Sequence, residues 1–169
     1  MTVAGTASIH IITTGGTIDK EYSIRGELVV GDAMAPSLIA TARTNIEVSF
    51  EAVCRKDSLE LSDEDRAAIR AGVARSGNTK IIVTHGTDTM VRTGLALRGL
   101  PGKTIVLTGA MQPARMRDSD AAANLGLAVA AVQLLPEGVY VAMSGLVLPI
   151  DRAAKRDDLG VFQDSAPTS

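Results

Sequence analysis

Three apolar runs in this chain end on hydroxyls and glycine. "IITTGGTID" (11–19) stops at Gly15-Gly16 and presents Thr17. "IIVTHGTDT" (81–89) ends at Thr84-His85-Gly86 and then offers Thr87 and Asp88. "IVLTGAM" (105–111) ends at Thr108-Gly109, followed by Ala110. A threonine hydroxyl becomes a useful nucleophile only beside a base. Paired glycines let the chain turn sharply and bring amide N–H groups close to a ligand. Thr17 therefore reads either as an activated nucleophile or as part of a tight strand-to-loop turn. Thr87 offers a second hydroxyl, and Asp88 a carboxylate able to hold an ammonium group. Either would equally well cap a following helix. His85 is better explained as a packed or hydrogen-bonded strand-end residue than as a general base.

Two polar stretches complete the set. In "RKDS" (55–58), Asp57 could accept from an amine and Ser58 could donate to a carboxylate; the plainer reading is a polar turn. "DRAAKRDD" (151–158) is a charge run, ordinarily a solvated face. Its Lys155 gains chemical meaning only by reaching the threonines, where a lysine could take up a proton. "LPGKT" (100–104) echoes a phosphate-binding loop, but position 97 is leucine and the segment precedes a strand, so nucleotide binding loses support.

Elements that would position these residues follow from periodicity. A strand at 8–13 leads to a loop or small hairpin at 18–32 and a short helix at 36–42 beside Pro36. "IEVSFEAVC" (46–54) alternates as a strand. The next helix starts at Ser62, with Asp65 three residues on, and stops at Gly77-Asn78. Strands at 79–84, 103–108 and 139–143 alternate with helices at 89–98 and 119–135, the latter carrying Leu125, Val129, Val132 and Leu135 on one face. This predicts an α/β fold of flavodoxin-like class: a mostly parallel sheet with helices on both faces. Ligands of such sheets bind beyond the carboxyl ends of the strands, where all three threonine segments would converge.

Bulk properties narrow the functional classes. The 169 residues suit one domain, and 46% apolar content argues against disorder in its body. Net charge is −2 without a basic stripe, and 2% aromatic content leaves little to stack on bases, so nucleic acid is a poor partner. Cys54 stands alone, which precludes an internal disulfide, and His10 and His85 form no metal-ligand spacing. The first residues lack signal-peptide character and no apolar stretch reaches membrane-spanning length, so a cytoplasmic setting is expected.

Taken in order, "TTGGTIDK", "THGTDTM", "LTGAMQP" and "DRAAK" resemble the bacterial-type L-asparaginase family of threonine amidohydrolases. The similarity runs from about residue 8 to 163 and is to that family's N-terminal domain only, as in a short-form asparaginase. It implies one N-terminal-type domain over 1–169 with flexible ends at 1–7 and 164–169. It further implies hydrolysis of L-asparagine to L-aspartate and ammonia, with Thr17 as nucleophile and Tyr22 assisting from a flexible loop. Thr87, Asp88 and Lys155 match a second constellation, in which Lys155 takes a proton from Thr87 and Asp88 binds the substrate α-ammonium. Ser58, beside Asp57, matches the residue holding the α-carboxylate, and the backbone at Ala110 would lie against the amide. No metal or organic cofactor is required, and a homo-oligomer is expected. Leu59 departs from the pattern, standing where many members have a polar substrate contact. Glutaminase activity, or asparagine and aspartate binding without catalysis, are the alternatives.

Overall fold

The computed structural model describes residues 8–165. Six strands form the main sheet: β1 (Ser8–Gly15), β4 (Glu47–Lys56), β5 (Lys80–Thr84), β6 (Thr104–Thr108), β7 (Gly138–Met143) and β8 (Leu146–Pro149). Their order is β4-β1-β5-β6-β7-β8. The first five run parallel, and β8 returns antiparallel to β7. A small hairpin, β2 (Lys20–Tyr22) and β3 (Leu28–Val30), follows β1, as expected for the polar 18–32 segment. A second, β9 (Ala153–Arg156) and β10 (Val161–Asp164), ends the fold.

Four helices cover the sheet: α1 (Ala35–Ala42), α2 (Asp63–Arg75), α3 (Met90–Ala96) and α4 (Ala121–Leu134). Strand alternation decides which side chains meet which helices. On one face Ile9, Ile11, Ile82, Val106 and Ala142 pack with Leu125 and Val132 of α4 and with α1. On the other, Ile12, Ile81, Val83, Leu107 and Val141 pack with Ile69 and Val73 of α2 and Met90 of α3. Both faces of the central strands are thus apolar, which explains their unbroken Ile/Val/Leu runs. Each fully buried isoleucine contributes roughly 1.5–3 kcal/mol. Helix α2 begins with the anticipated capping box: Ser62 Oγ accepts from Asp65 N at 3.2 Å, and Asp65 Oδ2 accepts from Ser62 N at 2.9 Å.

Three differences from the sequence reading bear on the site. Neither Thr87 nor Asp88 caps α3; Thr89 occupies that position and its hydroxyl instead donates to the Ser58 carbonyl at 2.8 Å. The charge run at 151–158 is not wholly a solvated face, because it contains β9, whose Ala153 is buried. Asp164 ends β10, and Ser165 N donates to the Arg152 carbonyl at 2.7 Å. The flexible ends expected at 1–7 and through the tail at 166–169 lie outside the described residues. Among the described residues no helix is long and apolar enough to cross a membrane.

Candidate active site

Sheet register brings the three threonine segments together. Thr13 pairs with Thr84, and Thr84 with Thr108, so the turns after β1, β5 and β6 leave the sheet side by side. Hydroxyls lash these strand ends: Thr14 Oγ1 donates to the Thr84 carbonyl at 2.9 Å, and Thr108 Oγ1 to the Ala142 carbonyl at 2.8 Å. Strand order reverses here as well, since β4 lies on one side of β1 and β5 on the other. Such a switch point is where open α/β sheets place ligands.

Glycine at 15 and 16 answers a need different from the one expected. Both have left-handed φ, +97° and +87°. The Gly16 amide is not offered to a ligand, because it donates to the Lys56 carbonyl at 2.9 Å. The close approach is to another loop: a Cβ on Gly16 would overlap the backbone of Gly86. Gly86 in turn has no room for a side chain, since its Cβ would stand 2.6 Å from Ser58 Cβ. The turns carrying Thr17, Thr87 and Ser58 are therefore pressed together backbone to backbone.

The Thr17 turn is cradled from the far side. Ile18 is buried against Ala110 and Ala121, and its carbonyl accepts from Ala114 N at 3.0 Å. The segment after Ala110 is held by α4: Asp120 accepts from Met111 N and Gln112 N, each at 3.0 Å, and Asn124 donates to the Gly109 carbonyl at 3.0 Å. Asp19, nearly inaccessible, accepts from Met34 N at 2.8 Å. Burial pushes its pKa up to about 6, against the opposing hydrogen bond from Met34 and the charge of Arg115. The Thr17 hydroxyl itself has no hydrogen-bond partner among the described residues.

Thr87, Asp88 and Lys155 line one open cleft of about 620 Å³, together with Leu59 and Asp157. Lys155 Nζ is paired with Asp88 Oδ1 and lies 3.2 Å from Asp157 Oδ1. Burial pulls the lysine pKa down, but the hydrogen bonds from Asp88 and Asp157 reverse this and leave it above its ordinary value. Lys155 is accordingly a charged ammonium at rest and cannot accept a proton while both carboxylates hold it. Ser58 stands beside Gly86 with its hydroxyl fully buried and unpartnered among the described residues. An orphaned buried hydroxyl is costly and suits a polar ligand group.

Other anticipated residues are placed less simply. Asp57 is engaged by Lys20 at 2.7 Å and accepts from Leu59 N at 3.2 Å. The Lys20 hydrogen bond holds its carboxyl below the usual range. Tyr22 sits on β2 with 67% exposure and makes no hydrogen bond to Thr17. His85 is buried and fully bonded: its Nδ1–H donates to the Gly86 carbonyl and its Nε2 accepts from Thr93 Oγ1, both at 2.7 Å. Burial lowers its pKa to about 4, so it stays neutral and structural. Sequence reasoning missed Asp157, Lys20, Asp120 and Arg115, which binds the Asp19 and Asp32 carbonyls and Glu21. Asp157 alone had a local signal, its spacing of two from Lys155. Among the described residues no group of three or more His, Cys, Asp or Glu is placed to hold a metal.

The family model described as "Asparaginase, N-terminal" matches residues 8–161. The chain belongs to the asparaginase family. Among asparaginase-family relatives, it is 34% identical over 149 residues to a glutamyl-tRNA(Gln) amidotransferase component from Saccharolobus solfataricus, covering 80% of this chain and 32% of that protein. It is 29% identical over 159 residues to an L-asparaginase of Thermococcus kodakarensis, covering 89% and 48%. A solved structure of the thermostable T. kodakarensis L-asparaginase superposes with a TM-score of 0.83 at 30% identity, covering 93% of this chain and 51% of that one. A probable cytoplasmic L-asparaginase from Campylobacter jejuni gives 0.78 at 27%, covering 94% and 52%. The asparaginase-type α/β fold expected from sequence is thereby shown. The chain spans about a third to a half of the length of these proteins.

Proposed function

We propose that the chain carries an amidohydrolase site for L-asparagine, with Thr17 as nucleophile. The observation that carries this reading is the pressing together of the Thr17 and Thr87 turns through Gly16 and Gly86, beside the Asp88–Lys155 pair. Asp88 receives the α-ammonium, and the orphaned Ser58 hydroxyl donates to the α-carboxylate. Thr17 Oγ attacks the side-chain amide, giving an acyl-enzyme and ammonia; water then releases L-aspartate. Lys155, once relieved of Asp88, takes a proton through Thr87. Backbone N–H groups at the turns stabilise the tetrahedral oxyanion, a contribution of roughly 3 kcal/mol per donor. A homo-oligomer and a cytoplasmic setting belong to the same reading.

The test is ammonia release from L-asparagine by the protein beside its Thr17→Ala variant. Turnover that disappears in the variant supports the assignment; undiminished turnover removes it. A second reading draws on the relative named as an amidotransferase component. There the same hydrolysis would act on a glutamine-type amide, with the ammonia passed to a partner chain. Faster release from L-glutamine than from L-asparagine would favour it.

A further inference from the structure

Asp157 lies on the turn joining β9 to β10 and lines the same cleft as Thr87 and Asp88. The cleft holds three charged side chains, the carboxylates of Asp88 and Asp157 and the ammonium of Lys155, and so keeps a single net negative charge. Their exposures differ: the Lys155 side chain is 17% exposed, Asp88 41% and Asp157 83%. The cation is thus the most enclosed member, and both carboxylates can reach solvent or a ligand. Neighbouring charges are committed elsewhere. Arg156 pairs with Asp158 at 2.6 Å, Arg152 with Asp164, and Arg92 of α3 with Asp63 at 2.8 Å. Among the described residues, Lys155 depends on Asp88 and Asp157 alone.

We propose that Asp157 is the counter-charge to which Lys155 is handed when a ligand's α-ammonium occupies Asp88. This rests on the reading above that Asp88 receives that ammonium. With Asp88 as its sole partner, a displaced Lys155 would be left as an enclosed, unpaired cation beside a second cation, an arrangement that disfavours ligand binding. Asp157, 3.2 Å away, already shares the ammonium and needs only to keep it. The cleft then selects amino acids with a free α-ammonium over dicarboxylates that lack one. Asp157 acts through Lys155 and is a positioning residue.

Calorimetry with two probes tests this: L-aspartate, which carries the ammonium, and succinate, which does not. In Asp157→Asn the preference for L-aspartate over succinate should fall about fivefold, the scale of one exposed ion pair, and Asp157→Glu should restore it. Equal weakening of both probes would indicate a merely structural role and overturn the proposal, as would an unchanged preference or a wild-type protein that binds neither probe. Hydrolysis is read separately. L-aspartate binding without ammonia release from L-asparagine removes the hydrolytic assignment, and the change of preference in Asp157→Asn still decides the hand-over.

Discussion

Gly16 leaves no room for a side chain beside Gly86: a Cβ there would overlap the Gly86 backbone N and Cα. With φ at +87°, Gly16 also holds a conformation that L side chains rarely adopt. Gly16→Ala should destabilise by about 3 kcal/mol, strain and overlap combined, and should separate the Thr17 and Thr87 turns. Gly126→Ala is the natural contrast, since it lies within α4 with nothing within 4 Å of its Cβ position. It should gain up to about 1 kcal/mol. Urea unfolding of both variants checks the pair.

Charge at the cleft should matter to chemistry far more than to stability. Asp88→Asn is expected to lower ammonia release by about 100-fold or more, on the scale of lost acid–base and positioning function. Because Asp88 is substantially exposed, its pair with Lys155 contributes no more than about 1 kcal/mol to folding. Initial rates and unfolding midpoints measured on one preparation test both parts. A loss of activity matched by collapse of the fold would refute the separation.

Buried groups near the turns give stability an unusual dependence on pH. His85 has a folded pKa of about 4, below its ordinary 6.5. The unfolded chain therefore binds its proton first, and stability is lost as pH falls from 6.5 towards 4, on the order of 3 kcal/mol in full. Asp19 works the other way. Its folded pKa of about 6 exceeds 3.8, so the folded state binds the proton first and stability is gained as pH falls from 6 towards 4. The two oppose each other over most of the same window, and the wild-type profile should be shallow there. Asp19→Asn should be more stable than wild type at pH 8 and should lose stability more steeply on acidification. Thermal melts at half-unit pH steps would show it; parallel profiles would exclude Asp19 as the source.

Among the described residues, the Thr93 hydroxyl supplies the only donor to His85 Nε2. Thr93→Val keeps the shape and orphans a buried acceptor, so a cost of 1–3 kcal/mol, roughly, is expected. Ammonia release per folded molecule should change little, because His85 braces the turn and takes no part in proton transfer. Denaturant unfolding and specific activity, measured together, distinguish bracing from catalysis.

Much of this was legible in the sequence, for reasons visible at particular residues. Central strands announce themselves as β-branched runs because both of their faces are buried. Helix α2 was placed by Ser62 and Asp65, whose reciprocal cap is local. The convergence of Thr17, Thr87 and Ala110 follows from parallel register alone. By contrast β9 and β10 have four residues each, "AAKR" and "VFQD", and no period to read; they are strands because Phe162 and Ala153 find the core. Asp57 looked free for a ligand because Lys20, its partner, belongs to a hairpin remote in sequence. The glycines were recognisable as a close approach, but nothing local showed that another loop would fill the space.

Partners of the Thr17 turn come from almost the whole chain: Lys56 after β4, Gly86 after β5, Ala110 after β6 and Ala114 beyond it. Contacts of such sequence separation form late, because the intervening loops must close first. A half-folded chain, even one with its helices formed, would have no assembled nucleophile. The hydroxyl becomes competent only when the five parallel strands are in register, so a molecule able to bind at this turn would bind the native state alone. Such a ligand should stabilise the whole fold in proportion to the logarithm of its concentration over Kd.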